Sequence, residues 1–370
     1  MQTQSLTRCK PLSFFAKLLL TTASLFAFAI APLAVASAQE SSSASPSPTA
    51  PTTTPRPCDV YAPATPCVAA FSTTRALYRA YTGPLYQLTR QSDEARLNIG
   101  LLPDGYADAA AQDTFCAGTS CTITKLYDQS PNHNNLMPAP AGGASHGPYL
   151  NGYDFPAEAS ALPIIAGGHK VYGIAIEPGM GYRIDHPVGT AVHGQPEGVY
   201  MITSALNLNK ECCFDFGNAE ANNLDNNAGH MDAINIMCHG QIPCGANAGL
   251  DMENGIYGHL KVPDATEFVT DMGASDGRHT YAIYQGNAQS GRLTTTGPLP
   301  LPTGYQPMQQ EGAIILGIGG DNSNWASGYF FEGVMTKGMP TAKAMEAVQK
   351  NIVAARYAAP VQTQQDPNTY

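Results

Sequence analysis

The chain has 370 residues, of which 13% are charged, against roughly a quarter in ordinary soluble chains. Its 36 Gly and 29 Pro argue for many turns and exclude helical bundles and coiled coils, while a 43% hydrophobic content excludes general disorder. The formal net charge of −10 excludes a surface built for nucleic acid, whose phosphates need clustered Lys and Arg.

Residues 1–38 read as a secretory signal. Arg8, Lys10 and Lys17 form a basic start, Leu18 to Leu33 is mostly apolar, and Ala36-Ser37-Ala38 is a small-residue cleavage site. The expected location is therefore secreted and extracellular, with no membrane segment in the mature form. Cleavage removes three cations and no anions, leaving a net of −13. Residues 39–56 follow as a Ser/Thr/Pro-rich linker that also suits O-glycosylation. One domain is expected over 57–358, with a tail at 359–370.

Within the domain, turn residues recur about every ten positions. Ser72 to Tyr81 predicts a short helix capped by Ser72 or Thr73 and stopped by Gly83-Pro84. Leu85 to Arg90 alternates with period two, as a strand with one wet face does, and Ile123 to Tyr127 is similar. Gly198 to Ile202 and His279 to Tyr284 read as further strands. Ala313 to Ile318 is continuously apolar, as in a strand buried on both faces. Thr341 to Tyr357 is the one long helical pattern, with Met345, Val348, Ile352 and Ala355 on one face. Many short strands and one late helix indicate an all-β two-sheet sandwich or jelly roll.

Eight of the nine Cys lie beyond the signal, an even number that implies disulfides in a secreted chain. Spacing suggests Cys58-Cys67, Cys116-Cys121, Cys212-Cys213 and Cys238-Cys244. Adjacent Cα atoms lie about 3.8 Å apart, closer than ordinary disulfides want. Pairing of Cys212 and Cys213 with Cys238 and Cys244 therefore stands as an equal alternative. A metal site is not called for, because thiols in this compartment are oxidised and no ligand spacing appears.

In a chain with so few charges, two carboxylate settings stand out. In Gly249-Leu250-Asp251-Met252-Glu253-Asn254-Gly255, a strand would put Asp251 and Glu253 on one face. Asn254-Gly255 is equally a hairpin-turn signal. In Ile318-Gly319-Gly320-Asp321-Asn322-Ser323-Asn324-Trp325, an apolar strand ends in two glycines and then presents Asp321 beside the only Trp. The plain alternative is an Asx-turn. Two carboxyls flanking one bond are what glycoside hydrolysis needs, without cofactor. No G-x-S-x-G elbow or G-x-G-x-x-G fingerprint is present. His230, beside Met231-Asp232, is as readily structural as catalytic.

The segment PCDVYAPATPCVAAFSTTRALYRAYTGPLYQLTR (57–90), followed in order by ADAAAQDTFC, CCFDFGNAE, GHMDAI, DMENG and EGAIILGIGGDNSN, resembles the catalytic domain of the glycoside hydrolase family 54 α-L-arabinofuranosidases. The resemblance implies a concanavalin-like jelly-roll β-sandwich. It implies retaining, exo-acting removal of terminal α-L-arabinofuranosyl residues from arabinan or arabinoxylan, with Glu253 as nucleophile and Asp321 as general acid/base. Asp251, Asn254, Gly320 and Asn322 fall in the substrate pocket, as does a vicinal Cys212-Cys213 disulfide. The partners implied are arabinose-containing plant polysaccharides or oligosaccharides, and a monomer is expected. Two departures stand out. Relatives carry a pocket Trp between the GHM and DMEN segments, where Asp232 to Leu250 here holds Cys238 and Cys244 instead. Many also continue into a C-terminal β-trefoil arabinose-binding domain, and this chain ends at Tyr370. Competing readings are a non-catalytic carbohydrate-binding jelly roll and a hydrolase of another furanoside or of a β-D-xyloside.

Overall fold

The computed structural model describes residues 54–239, 245–263 and 265–360. The signal, most of the linker, the Cys238-Cys244 pairing and residues 361–370 lie outside the described residues.

Burial follows the sequence pattern. Tyr86–Arg90 buries Tyr86 and Leu88 and leaves Gln87 and Thr89 partly wet, whereas Ala313–Leu316 is buried throughout. The strands build two large antiparallel sheets. One runs in the order Met137–Pro138, Tyr182–Ile184, Ala313–Leu316, Asp215–Ala219, Asp232–His239, Gly245–Asp251, Ile256–Lys261. The other runs Cys67–Ser72, Glu332–Lys337, Glu197–Thr203, Val269–Ser275, Thr280–Asn287, Ser290–Pro300. They pack face to face. Phe216 of the first sheet meets Phe71 of the second edge-on, with ring centroids 6.3 Å apart. A Cβ on Gly273 of the second would lie 2.6 Å from Leu250 of the first. Each fully buried large apolar side chain in this layer contributes about 1.5–3 kcal/mol. The fold is a β-sandwich, as expected, and its second sheet pairs the earliest strand with the latest.

The closing helix forms as read. It spans Ala342–Ala354, Thr341 Oγ1 caps it by accepting from Ala344 N–H at 3.2 Å, and Met345, Val348 and Ile352 are buried. The helix expected at 72–81 does not form. Ser72 ends a strand, and its hydroxyl does accept from Thr74 and Arg75 N–H, as a cap would. The next donors leave the segment, however: Ala76 N–H goes to Gly105 O and Leu77 N–H to Gln129 Oε1. Arg75 is drawn into the core, where Nε and Nη2 donate to Glu332 at 2.6 and 2.7 Å. Tyr357 and Tyr200 hydroxyls also donate to Glu332, at 2.7 and 3.2 Å.

Cys58 pairs with Cys67 and Cys116 with Cys121. The two ends of the domain meet, Asn351 Nδ2 donating to Pro55 O at 2.5 Å, and Ala358 exchanges backbone hydrogen bonds with Ile165 of the strand Leu162–Ala166. No helix among the described residues is long and apolar enough to cross a membrane.

Candidate active site

Asp251 closes one strand and Ile256 opens the next, paired across the turn 252–255. Asn254-Gly255 is thus part of a hairpin turn. Glu253 and Asn254 adopt φ of 62° and 55°, a left-handed backbone that costs a non-glycine residue about 1–3 kcal/mol and collects at functional sites. Glu253 therefore lies off the strand, and strand alternation is not what brings it to Asp251. Asp251 Oδ1 instead reaches forward to accept from Glu253 N–H at 2.9 Å. Tyr305 OH fixes the other side of the turn by donating to Glu253 O at 2.8 Å.

The Asp321 loop leaves the strand Ala313–Leu316. Asn322 N–H donates to Gly319 O and Ser323 N–H to Asp321 Oδ1, both at 3.1 Å. The Asx-turn is real, and the residue that makes it also lines the cleft. Gly320 is needed for close approach, since a Cβ there would fall 1.8 Å from Glu220 Oε2. Asn322 is not among the residues lining the cleft. Its side chain is buried and donates to Asp154 Oδ1 at 3.3 Å, which assigns it to holding the loop rather than to substrate.

Cys212 and Cys213 are bridged to each other, which overturns their pairing with Cys238 and Cys244. Cys213 is buried, and Cys212 is exposed at the cleft. Backbone bonds from Cys213 N–H to Ser323 O and from Trp325 N–H to Cys212 O, each 3.2 Å, stitch the bridge to the Asp321 loop. The cleft holds about 610 Å³ among Cys212, Asp251, Glu253, Asn254, Asp321 and Trp325, within the usual size of small-ligand sites. In the interval 232–250 the described lining residue is Met237. A second cleft of about 480 Å³, beside Arg56 and Tyr81, offers one carboxyl, Asp104. His230 is engaged elsewhere, its Nδ1 2.8 Å from Glu311.

Three residues at this site went unread in the sequence. Asp215, on the strand paired with Asp232–His239, lies with Asp251 and Cys213 in one group of atoms within 4.8 Å. The disulfide removes Cys213 as a thiolate ligand, leaving a carboxyl pair with Asn235 Nδ2 donating to Asp215. Glu220 follows the same strand and faces Glu253 at hydrogen-bonding range. Arg183 is buried behind them. Its guanidinium donates to Gly320 O at 2.6 Å and to Glu220 O, and its Nε to Asp185.

Burial dominates the electrostatics. It drives Asp215 well above the usual carboxyl range, with Asp251 adding to the effect. It pushes Asp251 to about 7 against the pull of the Glu253 N–H. Burial and the facing Glu220 push Glu253 to about 10. Glu220 is also raised by burial, while its hydrogen bond to Glu253 and the Arg183 charge oppose the shift. The cleft thus gathers carboxyl groups able to attack, to hold protons and to pass them.

Comparison with known proteins meets this geometry. The family described as "Alpha-L-arabinofuranosidase B, catalytic" matches residues 57–358. The chain is 47% identical to alpha-L-arabinofuranosidase B of Aspergillus niger over 322 residues, 83% of this chain and 64% of that one. It is 49% identical over 315 residues to an alpha-L-arabinofuranosidase of Hypocrea jecorina, covering 82% of this chain and 63% of that one. It shares 49% over 315 residues with an "Arabinofuranosidase/B-xylosidase" of Trichoderma koningii, again 82% and 63%. The chain therefore spans under two thirds of the length of these curated relatives. Its fold is similar to that of an arabinofuranosidase crystallised with arabinofuranosyl-alpha-1,2-xylobiose, at TM-score 0.78 and 45% identity over 82% of this chain and 66% of that one.

Proposed function

Because the chain belongs to the family of alpha-L-arabinofuranosidase B catalytic domains, glycoside hydrolase family 54, we propose that it is a secreted, retaining α-L-arabinofuranosidase acting on terminal arabinofuranosyl groups of arabinoxylan or arabinan. The observation that carries this reading is the meeting of Glu253 and Asp321 in one cleft, from a strained turn and a glycine loop far apart in the chain. In the first step a Glu253 carboxylate oxygen attacks the anomeric carbon. The glycosidic C–O bond breaks as Asp321 gives its proton to the leaving oxygen. In the second, water attacks the glycosyl ester and Asp321 takes its proton, returning Glu253 as carboxylate. Asp251 and Asn254 supply polar contacts to the furanose hydroxyls, and the Cys212-Cys213 bridge supplies an apolar wall. The arabinofuranosyl-alpha-1,2-xylobiose in the crystallised relative supports arabinoxylan as substrate.

The test is hydrolysis of 4-nitrophenyl α-L-arabinofuranoside by the wild type, Glu253→Gln and Asp321→Asn, with the product anomer read by NMR. Retained configuration and loss of turnover in Glu253→Gln are expected. Asp321→Asn is expected to lose more on an arabinofuranosyl-xylose, whose leaving group needs the proton, than on the nitrophenyl glycoside. Absence of turnover by folded, oxidised wild type overturns the reading. A second activity on 4-nitrophenyl β-D-xyloside is favoured by the name of the Trichoderma koningii relative and is assayed beside it.

A further inference from the structure

Glu220 is fully buried, yet both its carboxylate oxygens lack a hydrogen-bond donor, as does Glu253 Oε2. The two carboxyls nevertheless face one another at hydrogen-bonding range. Two acceptors cannot bond, and two like charges so close in a buried site cannot both ionise. A single proton between them satisfies both conditions. We propose that Glu220 is a positioning residue that takes this proton from Glu253 when substrate binds and donates it back as a hydrogen bond to the Glu253 carboxylate during attack. The proposal rests on Glu253 being the nucleophile.

The surroundings fix Glu220 for that task. Arg183 grips its backbone oxygen and that of Gly320, placing the carboxyl against a glycine with no room for a Cβ. The charged groups facing the pair come from four further elements. They are Arg183 from the strand Tyr182–Ile184 (itself paired with Asp185), Asp251 from the strand that leads into the Glu253 turn, Asp225 from the loop after Glu220, and Asp321. Glu311 is turned away, held by Ala221 N–H, Asn226 and His230. Apart from Arg183 all these neighbours are acidic, so a lone Glu253 in this setting would take up a proton and cease to attack. A donated hydrogen bond favours its ionised form. Once the glycosyl ester forms, the same donor falls to the ester carbonyl oxygen, and no proton leaves the pair in either step.

The experiment compares kcat/KM against pH for the wild type, Glu220→Gln and Glu220→Leu on 4-nitrophenyl α-L-arabinofuranoside, with melting curves to establish folding. Gln keeps a donor and cannot ionise, whereas Leu fills the space without one. We expect Glu220→Gln to lose less than about tenfold and to keep the acid limb of the wild type. Glu220→Leu should lose roughly 10- to 100-fold, the worth of a hydrogen bond to a charged group, and its acid limb should move to higher pH. An infrared difference spectrum at neutral pH should also show one carboxylic-acid C=O stretch lost in Glu220→Gln, a readout that does not need the Leu variant to fold. Equal losses in both variants with an unmoved limb, or no lost acid stretch, overturn the proposal. An active Glu253→Gln overturns the nucleophile reading and this proposal together. With Glu253→Gln inactive, a negative Glu220 result strikes the proposal alone.

Discussion

Two fully buried glutamates sit in opposite sheets and could hardly be treated more differently. Glu332 begins a strand of the second sheet and is saturated: Arg75 grips it twice, and two tyrosine hydroxyls donate to it. Glu220, just past a strand of the first sheet, has no donor on either oxygen and another carboxyl in front of it. A satisfied buried charge is a fixture whose partners define one geometry. An unsatisfied one is a store of strain that chemistry can draw on. The same residue type thus serves structure in one place and reactivity in another, according to what faces it.

The largest effect that sharpens this contrast is at Glu253. Glu253→Gln should lose turnover on the order of 10⁴-fold, the scale of removing a covalent nucleophile. Its melting temperature should hold or rise, because one carboxyl fewer is crowded into the buried acidic site. A clear fall in melting temperature would mean that the cluster is structural after all. Next comes the other glutamate. Arg75→Met strands Glu332 and should cost about 3–5 kcal/mol of stability, with activity per folded molecule unchanged. The double variant Arg75→Met/Glu332→Leu should recover part of that loss in urea melts. No recovery would mean that the pair contributes more than its desolvation costs.

The smallest effect is in pH dependence. Asp154, Asp232 and Asp251 are raised by burial to about 6, 7 and 7. A carboxyl whose folded pKa exceeds its unfolded value of about 4 binds a proton on folding. Its contribution to stability is complete below about pH 4 and is lost as pH rises toward 6 or 7. The lowered carboxyls, among them Asp93 and Asp276, act in the opposite sense but are more exposed and screened. Stability should therefore fall between about pH 4 and 7, and Asp154→Asn should flatten that slope. An unchanged slope in the variant would remove Asp154 from the account.

The sequence carried the sandwich and part of the site. Period-two alternation at 85–90 and unbroken apolarity at 313–318 report burial directly, so those strands were legible. Asp321 was legible for a related reason: it ends a buried strand beyond two glycines. Asp251 and Glu253 were picked out together for a mistaken local reason, since a turn and an Asx contact, not strand alternation, bring them together. Glu220 and Asp215 were missed although both stand in the motif CCFDFGNAE. Their meaning depends on which strand pairs with which, and strand order is set by the whole core rather than by neighbours in the chain. The feature that marked Asp321 is missing at Glu220, because the strand before it reads Asp-Phe-Gly-Asn-Ala rather than as an apolar run. The failed helix at 72–81 has the same cause, because Arg75 finds its partner 257 residues away.

The meeting of Pro55 with Asn351 makes the domain nearly a ring in its connectivity. A short splice between the start and the closing helix should therefore be tolerated, as it often is when ends lie together. New ends could then be cut in the exposed turn 91–94 between the strands Tyr86–Arg90 and Arg96–Ile99. Such a permutant would make the closing helix an internal element, and it would let a passenger protein be carried from a corner of the domain that the natural chain order leaves unused.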